Sequence, residues 1–390
     1  MKRLVRATFC LVFACSGEAG PGRESEAESE AESEAESEAR PSPAERGPFG
    51  VGVTTLAVLD ETRDRTLTTE VWYPATVSDD DPRDTFFGIL ELSSVRDAPA
   101  DDSGAPYPLV IFSHGYAGIR NQSPYFTEHL ASHGFVVAAP DHPRNTFLDN
   151  DADATAEVLV NRPLDVSAVA GTLLDAETEA GARFAASIDA SRVGVAGHSF
   201  GGFTTMLVVG GVIDWEALAA FCAEGDSVMC DAIVDPDAEL PEWRDDRFRA
   251  ALPLAPGGGR AFGEHGLCGV DVPVFVQGGT ADRTTPIADE VRPIFDGLPA
   301  GGASLLLIED AGHFSFTDIC PLYEALGGAD GAFGDIGEDG CGKDNVAIDE
   351  AHAISRAWAT AFFRAELQGD DAARAYLEGA APEHATIERR

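Results

Sequence analysis

The chain has 390 residues, with 27 Lys+Arg against 67 Asp+Glu, a formal charge of −40 and a pI near 4.3. That balance argues against a nucleic-acid binder, which needs a cationic surface to displace counterions from phosphate, and against a basic docking patch for anionic lipid. The 44% hydrophobic fraction excludes a wholly disordered chain, and 41 Gly with 23 Pro mark many turns without a collagen period.

The N-terminus reads as a targeting segment. Lys2, Arg3 and Arg6 precede an apolar run, Leu11 to Ala14, that ends at Cys15. A cationic start, an apolar middle and a small residue before the cleavage point make a secretory signal over residues 1–15. Val12-Phe13-Ala14-Cys15 resembles a bacterial lipobox. Cys15 would then be the lipidated first residue of an exported envelope lipoprotein; the other outcome is free secretion. The run is too short for a spanning helix.

Residues 24–39 are four copies of Glu-Ser-Glu-Ala. Each Glu faces another four residues on, which opposes an isolated helix, and no apolar face exists to bury. Residues 16–47 therefore read as a disordered, self-repelling stalk, reaching roughly 30 Å as a coil. Its ten Glu and three Arg account for little of the −40, so the acid belongs mostly to the folded part, where Lys343 is the only Lys.

From Pro48 the pattern alternates strands and helices. Val51–Leu59 and Thr69–Tyr73 alternate like antiparallel edge strands. Pro108–Ser113 and Phe135–Pro140 are apolar runs expected of strands buried on both faces, with a helix Tyr125–His133 between them. A long helix is expected over Arg162–Glu179, with Asn161 as N-cap. Then come a strand Arg192–Gly197, a helix from Phe200, and strands Arg249–Ala255, Pro273–Gly278 and Ala303–Glu309. A final helix, Val346–Leu367, closes the chain. The expectation is an α/β domain over about 48–385, its mostly parallel central sheet covered by helices. Residues 212–246 break the rhythm and read as a lid-like insertion near the mouth of a site. Trp215 and Trp243, which it contains, either pack it down or line a substrate pocket.

Beyond Cys10 and Cys15, five cysteines remain. Export permits disulfides, and the local pairings Cys222–Cys230 and Cys320–Cys341 are preferred, leaving Cys268. No Cys-x-x-Cys spacing suggests a metal cluster. The acidic loop Asp149-Asn150-Asp151-Ala152-Asp153 has alternate carboxylates but lacks the Gly and terminal Glu of a calcium loop, and reads as solvated.

Gly197-His198-Ser199-Phe200-Gly201 matches G-x-S-x-G. A strand precedes it and a helix-compatible run follows, the context a nucleophile elbow requires. The turn lifts the Ser199 hydroxyl off the sheet and offers the Phe200 N–H to an oxyanion. A serine hydroxyl needs a base. Of the four histidines after Ser199, only His313 follows a strand directly, in the loop Asp310-Ala311-Gly312-His313. The orienting acid belongs on the loop after the preceding strand, where Asp282 stands; Asp310 is the other candidate. The second oxyanion donor belongs after the first central strand, in Ser113-His114-Gly115-Tyr116, and is the Tyr116 N–H. His114 reads as a structural loop histidine.

FSHGYAGIRNQSPYFTEHLASHGFVVAAPDHP, GHSFGG and GGTADRTTP…DAGHFSF resemble the platelet-activating-factor acetylhydrolase-like α/β-hydrolases. That wider group includes "predicted dienelactone hydrolase" proteins, chlorophyllases and cutinase-like polyesterases. Two departures matter. True dienelactone hydrolases use Cys where this chain has Ser199. In the plasma acetylhydrolases the acid follows the strand one earlier, which here ends Leu254-Ala255-Pro256 without an acid; the polyesterase-like placement at Asp282 fits instead. Gly257-Gly258-Gly259 also replaces the Trp that polyesterases tend to carry. The resemblance implies a serine hydrolase of carboxylic esters, with no cofactor and a small ester as substrate. Phospholipid or polyester are the alternatives, and Tyr116, Phe200, Trp215 and Trp243 are tentative pocket residues. Membrane contact is expected only through the N-terminal anchor; a monomer is the expectation, with the oligomeric state left open. A non-catalytic surface binding lipoprotein is the reading from another class.

Overall fold

A computed structural model describes residues 40–224, 228–231, 240–327 and 337–390. The signal pattern, Cys15 and the Glu-Ser-Glu-Ala copies lie outside them. In chain order the strands are β1 (Gly50–Asp60), β2 (Arg65–Ala75), β3 (Arg83–Phe86), β4 (Leu90–Arg96), β5 (Tyr107–Ser113), β6 (Val136–Pro140), β7 (Ile188–His198), β8 (Phe248–Leu254), β9 (Val274–Gly279), β10 (Ala303–Ile308) and β11 (Ala385–Arg389). The α-helices are α1 (Pro124–Ser132), α2 (Thr155–Leu174), α3 (Glu179–Phe184), α4 (Phe200–Val208), α5 (Trp215–Glu224), α6 (Val228–Asp231), α7 (Arg292–Gly297), α8 (Ile319–Ala325), α9 (Ile348–Leu367) and α10 (Asp371–Glu378).

Among the described residues the eleven strands form one sheet, in the order β11-β10-β9-β8-β7-β5-β6-β2-β1-β4-β3. Its centre, β6 through β10, is parallel, and β2 and β11 join it antiparallel. A parallel centre needs cover on both faces, and β5 shows how the sequence provides it. Leu109 and Ile111 point into a core with Val166, Val169 and Leu173 of α2 and with Phe203 and Leu207 of α4. Val110 and Phe112 point into the other, with Phe126 and Leu130 of α1 and with Trp358 and Phe363 of α9. The sheet thus has the α/β-hydrolase architecture expected, and its C-terminal strand ends carry the loops discussed below.

Four expectations are corrected. The long helix starts at Thr155, and Asn161 lies within it, donating from Nδ2 to the Glu157 carbonyl. Pro163 resembles a first-turn proline, but it sits inside the helix at the cost of one backbone hydrogen bond. That helix also ends at Leu174, and α3 begins anew with Thr178 capping Gly181 N–H. The helix over Ile348–Leu367 does not close the chain: α10 follows, and β11 pairs with β10. Finally, residues 40–47 are not stalk. The carbonyls of Pro41, Pro43 and Glu45 accept from Arg364, His129 and His133, and Gly47 N–H donates to Ser132.

The described part of the insertion packs down on the domain. Trp243 is buried, and its indole N–H donates to the Val160 carbonyl of α2 at 3.1 Å. Cys222–Cys230 and Cys320–Cys341 form disulfides, and Cys268 is free and exposed.

Candidate active site

β7 delivers Ser199 to a strand-to-helix turn, with φ 56° and ψ −119°. A left-handed φ on a residue with a Cβ is strained and needs room. The glycines supply it. A Cβ on Gly201 would fall 1.9 Å from the Ser113 carbonyl oxygen, and one on Gly197 would fall 2.3 Å from that of Gly201. The Ser199 N–H donates to the Leu254 carbonyl, and its own carbonyl accepts from Gly257, so β8 braces the turn. Ser199 remains half-buried while its neighbours are enclosed.

The loops after β9 and β10 bring the predicted acid and base together. Asp282 Oδ2 lies 3.0 Å from His313 Nδ1, and both residues are buried. Asp282 is itself held: Thr285 N–H donates to its Oδ1 at 2.6 Å, and Thr285 Oγ1 lies 2.8 Å from its Oδ2. Asp310, the other candidate acid, is exposed; its backbone N–H binds Thr280 Oγ1, and its carbonyl accepts from Val346 and Asn345. No hydrogen bond joins the Ser199 hydroxyl to His313 among the described residues. The His198 ring lies beside His313, with ring centroids 4.6 Å apart.

His198 is fully buried, and burial first, then the neighbouring His313, holds it well below its usual pKa. It is therefore neutral, and its contacts fix one arrangement. Nε2–H donates to the His313 carbonyl at 3.0 Å, Nδ1 accepts from Gln122 Nε2 at 3.0 Å, and Gln122 Oε1 accepts the Gly115 N–H at 3.0 Å. This chain ties the loop after β5 to the base.

The Tyr116 and Phe200 rings meet edge to face at 6.2 Å. Neither residue's backbone N–H donates to a protein acceptor among the described residues; Phe200 is the first residue of α4, whose N–H has no partner within the helix. Two free donors thus flank the elbow. The Phe200 side chain, expected in the pocket, is instead buried against Phe203. Trp243 is also withdrawn into the core, and Trp215 is partly buried against it.

Asp339 escaped the sequence reading. Its Oδ1 accepts the backbone N–H groups of His313 and Arg283, and its Oδ2 accepts Thr284 N–H and Oγ1–H. It pins the acid loop to the base loop. No pattern marks such an acid; its only sequence signal is Cys341 two residues on. The Asp149–Asp153 carboxylates serve their own loop and Arg144, and no group of three or more metal-ligating side chains converges among the described residues. Two surface cavities, of about 200 and 280 Å³, lie by Arg364 and by Arg356 and include none of Ser199, Asp282 and His313. No helix among the described residues is long and apolar enough to cross a membrane.

The sequence model of the family described as platelet-activating factor acetylhydrolase, isoform II, matches residues 84–161, which include the Tyr116 loop but none of Ser199, Asp282 and His313. The chain is 28% identical over 211 residues to cutinase est1 of Thermobifida alba, covering 54% of each chain. It is 29% identical over 210 residues to cutinase 2 of Thermobifida cellulosilytica, covering 54% of this chain and 61% of the relative. A bis(hydroxyethyl) terephthalate hydrolase of Streptomyces coelicolor is 26% identical over 219 residues, covering 56% of this chain and 54% of the relative. The chain thus spans about half the length of the curated relatives it matches. A solved structure of a ferulic acid esterase from Streptomyces cinnamoneus superposes with a TM-score of 0.63 at 23% identity, covering 87% of this chain and 97% of the other. The chain is an α/β-hydrolase by fold, and within that fold it is similar to the platelet-activating-factor acetylhydrolase and cutinase-like group.

Proposed function

We propose that the chain is a serine hydrolase of carboxylic esters that works through an acyl-enzyme. The observation that carries this is the bonded pair His313–Asp282, with His313 against the ring of His198, the residue before a serine held at positive φ on a glycine-walled turn. Ser199 Oγ attacks the ester carbonyl carbon while His313 Nε2 takes its proton. The carbonyl oxygen becomes an oxyanion, held by the Tyr116 and Phe200 N–H groups. The C–O bond to the alcohol breaks, and His313 returns the proton to the leaving oxygen. Water, deprotonated by His313, then attacks the acyl carbon, and Ser199 leaves with its proton restored. Asp282 holds the Nδ1–H tautomer and stabilises the imidazolium. No step calls for a cofactor.

Small or short-chain esters are the substrate class. The relatives named cutinase and terephthalate ester hydrolase support ester chemistry, and an acetylhydrolase-like phospholipid ester is the second reading. Against a long flat polymer stands the lack of an aromatic over Gly257–Gly259; a Cβ at Gly257 would meet only Thr285 Cγ2 at 3.5 Å, whereas one at Gly259 would lie 1.8 Å from the Glu290 carbonyl oxygen.

Purified chain is expected to hydrolyse p-nitrophenyl acetate or butyrate and to take a fluorophosphonate label, with Ser199→Ala abolishing both. Neither turnover nor label would sink the reading in favour of a non-catalytic binding protein. Export and lipid attachment at Cys15 belong to the same proposal, on the lipobox resemblance. Equal palmitate incorporation with Cys15 intact and replaced removes the anchor.

A further inference from the structure

A buried cation lies beneath the elbow. Arg162, in α2, is 1% exposed, and no carboxylate pairs with it among the described residues. Its Nη1 donates to Asn145 Oδ1 at 2.7 Å and reaches the Gly115 carbonyl at 3.4 Å. Its Nη2 donates to Ser113 Oγ at 3.0 Å and to the His114 carbonyl. The guanidinium carbon sits 4.9 Å from the centroid of the Phe200 ring. Burial lowers the group to about 9, with Asp165 opposing, so it stays charged at neutral pH.

As a stability device this is poor. Burying an unpaired cation costs several kcal/mol, and its Nε finds no partner, which adds to the cost. The contacts have a common destination instead. They converge on the segment from Ser113 to Gly115 and on the Phe200 ring, the backbone that carries the two proposed oxyanion donors.

The peptide between Gly115 and Tyr116 shows what the contacts achieve. Its C=O and N–H point in opposite directions in one plane. The Gly115 carbonyl receives three donors: His114 Nδ1–H at 2.7 Å, Gly118 N–H at 3.1 Å and Arg162 Nη1–H at 3.4 Å. The His114 tautomer follows from its other nitrogen, which accepts the His142 N–H at 3.2 Å. Three donors at the carbonyl end fix the rotation of the plane, and they polarise the peptide so that Tyr116 N–H donates more strongly.

Arg162 has its own seat. Asp165 binds Arg63 and Arg65, and its Oδ2 holds His142 Nδ1–H at 3.0 Å. Burial and Arg162 keep His142 neutral, at about 4, so its Nε2 accepts the Ser113 hydroxyl at 3.0 Å. Ser113 Oγ is then left to accept from Arg162. Ser113, His142 and Asp165 have the composition of a catalytic triad, but Ser113 is fully enclosed and works as a support.

We propose that Arg162 is the positioning residue of the oxyanion hole: it clamps the Gly115 carbonyl and backs the Phe200 ring, and so sets the Tyr116 and Phe200 N–H groups on the acyl oxygen. The inference rests on the esterase reading of Ser199.

Ester and thionoester substrates with the same acyl group test it in the full chain. Sulfur accepts hydrogen bonds poorly, so a well-set hole favours the oxygen ester, whereas a loss of fold slows both alike. Arg162→Lys keeps the charge and loses the fork; Arg162→Met loses both. The expected fall in kcat on the ester is about 10-fold for Lys and about 100-fold for Met, with KM little changed. Thionoester turnover falls far less, so the ester-to-thionoester ratio drops. Asn145→Ser, which loosens one acceptor and keeps Arg162, moves the ratio the same way by a smaller factor and decides the matter if the Arg162 variants do not fold. An unchanged ratio in variants with wild-type melting curves overturns the proposal. An unmodified chain that turns over neither substrate and takes no fluorophosphonate label overturns the esterase reading, and this inference with it.

Discussion

Asp339 Oδ1 accepts the backbone N–H of His313 at 3.1 Å. The same carboxylate binds Arg283 and Thr284, next to Asp282, so one buried side chain spaces the Asp282 loop from the His313 loop. Asp339→Ala strands buried donors and is expected to lower unfolding free energy by about 2 kcal/mol or more, along with esterase kcat. Urea unfolding and p-nitrophenyl butyrate kinetics read the two effects. Wild-type kcat in the variant would show that the loops hold their spacing without it.

Asp282→Asn keeps the shape of the site but offers His313 Nδ1 an amide that favours the wrong tautomer. A loss of about 10³- to 10⁴-fold in kcat is expected at neutral pH, with KM little changed. Thr285→Val removes only the hydroxyl that steadies Asp282, and about 10-fold is expected there. If the two variants lose equally, Asp282 is not the orienting acid.

The two disulfides divide by position. Cys320–Cys341 spans 21 residues and fastens the segment that carries Asp339. Closing a loop of that length is worth about 3 kcal/mol by chain entropy. Replacing both cysteines by Ser is expected to lower the melting temperature and kcat together. Cys222–Cys230, within the insertion, spans 8 residues and forms no hydrogen bond to the Asp282 or His313 loop among the described residues, so its removal is expected to leave kcat near wild type. Equal losses from the two replacements would contradict this division.

Acid is expected to destabilise this chain through its histidines. Burial is the first cause that holds His114, His129, His133, His142, His198 and His352 below their usual range; His129 and His142 fall to about 4, and His133 and His352 to about 3. Unfolded histidine titrates near about 6.5, so below that pH the unfolded chain binds protons that the folded chain refuses, and stability falls with pH. Asp318 and Glu290 act in the opposite sense. Burial raises both to about 7, so the fold favours their neutral forms and gains stability as pH falls toward about 4. Six histidines outweigh two acids. Denaturant melts are expected to give lower stability at pH 5 than at pH 7, and Asp318→Asn is expected to steepen the drop. Greater stability at pH 5 would reverse the assignment.

Much of the fold is legible because a parallel sheet writes itself as apolar runs. The strands that became β5 to β10 announce themselves that way, and Asp282 and His313 follow two of them at the ends where ligand loops gather. What failed had no such signal. β11 is a short, exposed edge strand, Ala-Thr-Ile-Glu-Arg, with little alternation to read. Pro163 imitates a helix start. Trp243 stands in the sequence between pocket and packing, and its indole bonded to Val160 decides for packing. Asp339 and Arg162 act on backbone groups distant in sequence, and a single sequence does not display such partnerships.

Residues 40–47 cross the ends of α1 and α9 and are held there by Arg364, His129 and His133. The last turn of α1 leads into β6 at the N-terminal edge of the sheet, opposite the strand ends that carry Ser199 and His313. Force applied through the chain ahead of Arg40 therefore enters the domain at this clasp. The side-chain-to-carbonyl bonds of Arg364, His129 and His133 bear that load first, at the sheet edge away from Ser199 and His313.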